Sequence, residues 1–141
     1  MKNISFTSII ALLPIMAAGC TSVNHSGSDE TKVVARIVAR TAPASLVFKD
    51  KNSAQQVISS LDSSEYFAFG VILDSEKKVF AAYFRPDQLS EREEFVSRVK
   101  QDLPSDKSEV IITDRGYTIV IVRMEMKGQV IGYAAIGRKG A

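Results

Sequence analysis

The fold is decided by the stretch Phe67–Arg85, which reads FAFGVILDSEKKVFAAYFR. Two apolar runs, residues 67–73 and 79–85, flank the polar segment 74–78. Aromatic and β-branched residues favour strands, and a short polar segment between two such runs predicts a β-hairpin. Both faces of the first strand are apolar, so we expect other elements to cover it on both sides.

Small side chains in this hairpin face large aromatic ones. The pattern indicates either close packing of a helix or room for a bound ligand, and packing is the simpler of the two. If the sheet holds a ligand, we expect Phe69, Tyr83 and Arg123 to line the site. The aromatic rings would supply buried area, and the arginine would pair with an anionic group. The small residues in question are Ala68, Gly70, Ala81 and Ala82.

The segments around the hairpin predict helices and three further strands. Residues 53–56 and 90–93 read as capping boxes, and apolar residues at helical spacing follow each of them. Five strands joined mainly by short turns, with one helix after the second strand, indicate an α+β fold built on a five-stranded antiparallel sheet with flanking helices. The further strands are expected at Glu109–Thr113, Tyr117–Met126 and Gln129–Gly137.

An amphipathic helix is expected directly after residue 30. Val33, Val34, Ile37 and Val38 repeat at helical spacing, and Pro43 ends or kinks the helix because proline removes a backbone donor. The stripe has two interpretations of nearly equal weight. Either it belongs to the core, or it is the interface with a second protomer or with the helix of a partner protein.

The amino-terminal residues have the pattern of a delivery signal. Lys2 precedes a mostly apolar run that ends in small residues before Cys20. The segment resembles the lipobox of bacterial lipoproteins, with Ala17 where leucine is usual, and the resemblance implies cleavage before Cys20 and attachment of lipid (palmitate) to it. An ordinary secretory signal or a single-pass anchor is the alternative, although Pro14 interrupts a run that is short for a membrane span. We therefore expect a signal peptide over 1–19, a lipidated tether over 20–30 and one domain over 31–141.

The composition of the chain argues against several classes of function. Without Lys2 the chain has 17 basic and 16 acidic residues, and this near neutrality argues against nucleic-acid binding and against an electrostatic membrane surface. Cys20 is the only cysteine, so the domain has no internal disulfide. The single histidine, His25, lies in the tether, which leaves no Ser-His-acid or Cys-His set and no cluster of metal ligands. We expect a protein that is not an enzyme and that needs no cofactor and no metal.

Three segments are similar to CHASE-type periplasmic sensor domains. They are the first helix with the polar break after it, residues 34–50; the aspartate turn and Phe-Ala-x-Tyr hairpin, residues 71–83; and the closing hairpin, residues 122–132. Such domains sit on membrane-bound diguanylate cyclases and histidine kinases. The resemblance implies a PAS-like sensor fold that dimerises through a long amino-terminal helix. It carries over no specific ligand-binding residue.

The leading functional prediction is a non-enzymatic lipoprotein of the bacterial cell envelope. Its membrane contact is the lipid on Cys20, and its sensor-like domain would bind a partner sensor protein or a small ligand and regulate signalling. A homodimer or a complex with the envelope sensor is expected. A structural accessory lipoprotein of a secretion or motility assembly is the alternative, and a hydrolase is the least favoured. Thr21 stands where aspartate would retain a lipoprotein in the inner membrane, so a periplasm-facing outer-membrane anchor is favoured.

Overall fold

The computed structural model of the protein describes residues 27–140. The predicted signal peptide, Cys20, His25 and most of the tether lie outside the described residues and stay predictions. The described part is a five-stranded antiparallel sheet with flanking helices, which confirms the predicted fold class. The strands are β1 Phe67–Asp74, β2 Val79–Phe84, β3 Glu109–Asp114, β4 Tyr117–Met126 and β5 Gln129–Lys139. The helices are α1 Gly27–Thr41, α2 Pro43–Val47, α3 Lys51–Ser59 and α4 Arg92–Gln101, with 3-10 turns at Ser60–Ser63 and Pro86–Glu91.

The strands are ordered β2-β1-β5-β4-β3, and every neighbouring pair is antiparallel. β1 lies between its hairpin partner β2 and the last strand, β5. Residues 67–73 of β1 are all buried. The same order places β2 and β3 at the two edges of the sheet.

Helices cover both faces of the sheet, which confirms the expectation for the first strand. On one face α1 packs over β4 and β5, and α3 packs over β1 and β2. On the other face α4 places Phe95 and Val99 in a cluster with Phe69, Val71 and Ile121. Each face thus has its own apolar cluster. Full burial of one valine, isoleucine or phenylalanine side chain contributes about 1.5–3 kcal/mol to the stability of the fold.

An irregularity in β1 changes the predicted face of Phe67. Strict alternation predicts Phe67 on the same face as Phe69, Val71 and Leu73, but the β1–β5 register shifts between Phe67 and Phe69. Phe67 therefore joins the cluster on the α1 face, whereas the other three join the cluster on the α4 face. A bulge reverses the alternation of side chains between the two faces of the sheet. The alternating pattern of apolar residues in the sequence does not show where a bulge lies.

Close helix packing explains Gly70 in the middle of β1. A Cβ atom added to Gly70 would lie 2.6 Å from Ile58 Cδ1 and closer still to Leu61 Cδ1. Ile58 belongs to α3 and Leu61 to the 3-10 turn after it, so this segment approaches β1 as closely as a glycine allows. The packing interpretation of the small residues holds at this position.

The starts of two helices differ from the prediction. Asp50 rather than Ser53 caps α3, because the Asp50 carboxylate accepts a hydrogen bond from the Ser53 backbone N–H at 3.1 Å. Hydrogen bonds from the hydroxyl and backbone of Ser53 hold the pKa of Asp50 below its ordinary value. α4 begins at Arg92 rather than after Ser90, because Pro86 already starts a 3-10 turn that leads into the helix.

Pro43 separates α1 from α2, as predicted. Ala42 is the N-cap of α2 and makes no side-chain capping bond, and the hydroxyl of the preceding Thr41 donates to the Ile37 carbonyl at 2.7 Å. α1 has 15 residues. Within residues 27–140, no helix has the length and hydrophobicity needed to span a membrane.

Candidate functional site on the first helix

The structure divides the predicted stripe of α1 between the core and the surface. Val38 is buried and Val34 is half-buried, and both pack with the apolar cluster on the sheet. Val33 and Ile37 are 53% and 56% exposed and lie one turn apart. The two interpretations of the stripe therefore apply to different residues: Val34 and Val38 pack with the core, and Val33 and Ile37 are left on the surface. Two of them, Val33 and Ile37, form the exposed surface, which we call the α1 outer face.

Small side chains on the opposite side of α1 explain this division. Their spacing of three and four residues keeps them on one side of the helix, and their size lets α1 approach β4 and β5 closely. Val33 and Ile37 lie on the side of the helix away from the sheet. The buried residues on this side are Thr31, Ala35 and Val38, and Ala42, directly after the end of α1, continues the spacing.

Two ion pairs fix α1 on the sheet. Near its amino-terminal end, Glu30 Oε2 lies 2.5 Å from Nη1 of Arg138 on β5, and the Arg138 guanidinium lies 4.8 Å from the centre of the Tyr66 ring. Further along the helix, Arg36 donates two hydrogen bonds to the carboxylate of Glu109 on β3, at 2.9 Å and 2.5 Å. Contacts at two points restrict the rotation of the helix, and so keep the α1 outer face turned away from the sheet.

The Arg36–Glu109 pair shifts the acid–base equilibria of both groups. The hydrogen bonds from Arg36 hold the pKa of Glu109 below its ordinary value, and the carboxylate raises the pKa of Arg36. Lys32 adds a smaller attraction to the same carboxylate. Both members of the pair are therefore charged at neutral pH.

A groove lies beside the α1 outer face. Its volume is about 440 Å³, and its lining combines apolar side chains with two exposed acidic residues. Val33 belongs both to the groove and to the α1 outer face, so the two form one continuous surface. A continuous apolar patch is a stronger sign of an interaction site than single exposed side chains. The lining residues are Asp29, Glu30, Val33, Val34 and Phe67.

Phe69 and Tyr83, two of the three predicted ligand residues, lie on opposite faces of the sheet. Phe69 is fully buried among aromatic rings, with centroid distances of 5.9 Å to Phe84 and 4.5 Å to Phe95. Tyr83 packs with the cluster on the α1 face. Among the described residues, the structure therefore does not bring these two predicted residues together in one pocket.

Tyr83 instead lines an open cleft of about 630 Å³. Its hydroxyl donates a hydrogen bond to Asp62 Oδ1 at 3.0 Å, and burial together with this bond raises the pKa of Tyr83. Arg85 lines the same cleft, but its guanidinium already donates to the Glu65 carbonyl. Within residues 27–140, no three His, Cys, Asp or Glu side chains lie close enough together to bind a metal ion.

Arg123, the third predicted ligand residue, is engaged inside the protein. Its Nη1 donates to the carbonyl of Ser105, and its Nε lies 2.7 Å from Glu125 Oε1. The second contact is an ion pair without the geometry of a directed hydrogen bond. An anionic ligand would have to displace these contacts before it could pair with Arg123.

The sequence did not predict the two ion pairs that hold α1 in place. Arg36 and Glu109 are 73 positions apart, and Glu30 and Arg138 are 108 positions apart. Local spacing carries no signal for pairs so distant along the chain. The buried side of α1 did leave a signal, because its small residues repeat at helical spacing as regularly as the valines do.

Comparison with known proteins identifies the family to which this domain belongs. The CHASE8 periplasmic sensor domain matches residues 23–136, which include α1, the β1–β2 hairpin and most of β5. No curated protein matches the chain. Among solved structures, the Roadblock/LC7 domain from Streptomyces avermitilis has 13% sequence identity and a TM-score of 0.38, over 60% of this chain and 77% of that chain. The family match confirms the resemblance seen in the sequence, and the chain belongs to the CHASE8 family of periplasmic sensor domains.

Proposed function

We propose that the protein is a non-enzymatic regulator of the cell envelope that binds a helix of a partner sensor protein through the α1 outer face and the groove beside it. Membership of the family gives a periplasm-facing domain with a sensory role. The observation that carries the proposal is the exposure of Val33 and Ile37 on a helix whose opposite side is buried and held by two ion pairs.

A helix is the partner that suits this surface. Val33 and Ile37 are four residues apart and form a ridge along α1, and such ridges pack into the grooves of a second helix at an axial distance of about 8–10 Å. The groove next to Val33 can accept an apolar side chain of the partner helix. Exposed charged residues, such as Asp29 and Arg40, surround the patch as a polar rim does in protein interfaces.

The interior gives less support to a small ligand as the bound partner. Close packing fills the space at Gly70, Phe69 is buried among aromatic rings, and Arg123 is engaged by Ser105 and Glu125. The groove on α1 is within the usual size of ligand pockets, roughly 300–1,000 Å³. A ligand in that groove would compete with the partner helix, because both would contact Val33.

We also propose that a lipid on Cys20 anchors the protein. It would hold the domain at a membrane. Residues 27–30 of the predicted tether belong to α1, so the six residues 21–26, if fully extended, would reach at most about 20 Å. With an outer-membrane anchor, which Thr21 favours, the partner must project into the periplasm to meet α1. We propose a PAS-like domain that begins with α1 at Gly27, four residues before the predicted start at residue 31.

Regulation requires more than contact. The domain must bind one state of the partner more tightly than the other, because a protein with equal affinity for both states shifts no equilibrium. A helix held rigidly on a sheet suits this role, since little ordering free energy is lost when it binds.

The test replaces Val33 and Ile37 with aspartate in the tagged full chain. Capture of membrane-bound sensor proteins, those that carry a cyclase or kinase module, is measured by quantitative mass spectrometry. We expect a loss of about tenfold or more, because the interface would bury two unpaired carboxylates. The melting temperature should stay close to that of the wild type, since both positions are exposed.

The matched control places the same two charges elsewhere. Val79 and Val130 are 39% and 37% exposed, and neither lies on α1. The Val79→Asp, Val130→Asp variant should capture sensors as the wild type does. Equal capture by the α1 variant and this control would contradict the proposal, and so would unfolding of the α1 variant, which would make the stripe intramolecular.

A further inference from the structure

The free edge of β3 carries an inference separate from the α1 outer face. β3 ends the sheet, and within the described residues it pairs with β4 alone. We propose that β3 also pairs with β3 of a second copy of this chain. The two strands would run antiparallel and centre on Ile111, so that two five-stranded sheets join into one of ten strands.

The hydrogen-bond phase of the β3–β4 hairpin shows which backbone groups are free. Residues 115 and 116 have φ angles of 50° and 85° and form a two-residue turn, so Asp114 and Tyr117 are a hydrogen-bonded pair. The bond from the Arg123 N–H to the Ser108 carbonyl, at 2.8 Å, has the same phase. The even-numbered residues of this strand therefore bond to β4.

The odd-numbered residues of β3 point the other way, because successive residues of a strand bond to opposite neighbours. Glu109, Ile111 and Thr113 direct their N–H and C=O groups away from β4. Ile111 is 43% exposed, and Thr113 is exposed too. A row of outward donors and acceptors of this kind is a template for one more strand.

The sequence of β3 fits its own copy. With Ile111 opposite Ile111 of the second copy, Glu109 lies opposite Thr113 and Val110 lies opposite Ile112. The odd-numbered pairs form the hydrogen bonds, and the even-numbered pairs bring their side chains close together. Apolar residues thus face apolar residues, a carboxylate faces a hydroxyl, and no like charges meet within the strands.

A cleft beside β3 accommodates the side chains of the added strand. It holds about 590 Å³ between β3 and the segment that follows α4, and its lining includes Leu103, Pro104, Val110 and Ile112. Val110 and Ile112 pack on the α4 face. Residues directly opposite each other in an antiparallel pair point to the same face, so the valine and isoleucine of the second copy would lie next to the cleft.

The dimer leaves the α1 outer face free. A two-fold axis perpendicular to the sheet puts both α1 helices on one face of the ten-stranded sheet, each with Val33 and Ile37 still exposed. Glu109 is neutralised by Arg36 in each copy, which reduces repulsion at the joined edge. The β3 dimer and a partner helix on α1 can therefore form independently of each other.

A charge exchange at Ile111 tests the register. Two differently tagged full-length copies are produced in the same cells, and capture of one by the other is measured. Ile111→Lys places two ammonium groups face to face in the dimer but a single exposed lysine in the monomer, and Ile111→Glu does the same with carboxylates. Each variant alone should lose capture by about tenfold or more, and a lysine copy paired with a glutamate copy should recover it.

Ile111→Val is the control, because it keeps an uncharged, β-branched apolar side chain at this position, and its capture should match the wild type. The Val33→Asp, Ile37→Asp variant should keep capture too, which separates this edge from the α1 outer face. Absence of wild-type capture, full capture by the lysine variant, or failure of the mixed pair to recover would overturn the proposal.

A measurement on the wild type avoids any effect of substitution on folding. The amide hydrogens of Glu109, Ile111 and Thr113 should exchange more slowly as protein concentration rises, because dimerisation bonds them. Fast exchange at all three positions that does not depend on concentration would overturn the proposal.

Discussion

The two edges of the sheet are built differently. At the β2 edge, Gln55 of α3 closes the edge at one residue, Ala82: its Nε2 donates to the Ala82 carbonyl at 2.8 Å, and its Oε1 accepts from the Ala82 N–H at 3.3 Å. At the β3 edge, no described side chain does the same for the backbone of Ile111. The contacts that reach this strand from helices, Arg36 to Glu109 and Arg98 to Asp114, join side chains and leave the backbone groups free.

This difference decides which side of the sheet can associate. Proteins cover or interrupt sheet edges because unpaired backbone groups recruit further strands. A domain with one closed and one open edge can form a two-fold pair, and the assembly then ends because no open edge remains. The open edge thus forms the proposed dimer, and the closed edge prevents further copies from adding to it.

The largest expected effect comes from forcing α3 away from the β2 edge. Gly70→Val inserts a branched side chain where Ile58 and Leu61 pack, and it should destabilise the fold by about 2–3 kcal/mol. Urea unfolding followed by circular dichroism measures the change. Gly70→Ala adds the Cβ alone and should cost less; wild-type stability in both variants would show that α3 does not approach β1 this closely.

A smaller effect is expected when the closed edge is opened chemically. Gln55→Ala leaves the Ala82 N–H and carbonyl without their side-chain partner, and it should cost about 1 kcal/mol in the free energy of unfolding. It should also allow assemblies larger than a dimer, detectable by light scattering. Gln56→Ala, one position along the same exposed part of α3, is the control. Identical behaviour of the two variants would remove the role given to Gln55.

The smallest effect concerns the ion pair above the open edge. The pKa of Glu109 is lower in the folded protein than its ordinary value of 4.5, so the unfolded chain binds more protons in this range. The contribution of the pair is therefore present above pH 4.5 and is lost as the pH falls through the folded-state pKa. Between about pH 6 and about pH 3, the wild type should lose more stability than Glu109→Gln.

Glu76→Gln, in the exposed turn between β1 and β2, controls for the loss of a carboxylate. Its stability should fall with pH as that of the wild type does. If Glu109→Gln and the wild type follow the same pH dependence in urea unfolding, the pair does not hold α1 to β3.

Much of this architecture could be predicted from the sequence because it depends on local periodicity. Alternation marks β4, where Ile119 and Ile121 pack on the α4 face and Val120 and Val122 pack on the α1 face. Helical spacing marks the buried side of α3. The turns at residues 115–116 and 127–128 follow from glycine in the left-handed conformation.

The features that define the surfaces depend on contacts between distant residues. Gln55 reads as part of a capping box, and nothing local indicates that it bonds to Ala82, 27 positions away. The apolar pattern selects Val33, Val34, Ile37 and Val38 together, but only Val34 and Val38 pack with the core, because the orientation of α1 on the sheet depends on its contacts with distant strands. The open edge of β3 follows from the strand order, and strand order is a property of the whole sheet.

The central claim is that the α1 outer face binds the helix of a partner sensor protein. Photo-crosslinking in intact cells tests it most directly, with a photoreactive amino acid in place of Ile37 and, as the control, in place of Val79 on the β2 edge. We predict a light-dependent adduct from position 37 whose peptides map to a helix of a membrane-bound sensor, and no such adduct from position 79. Absence of a sensor adduct at position 37, or equal adducts at both positions, would contradict the claim.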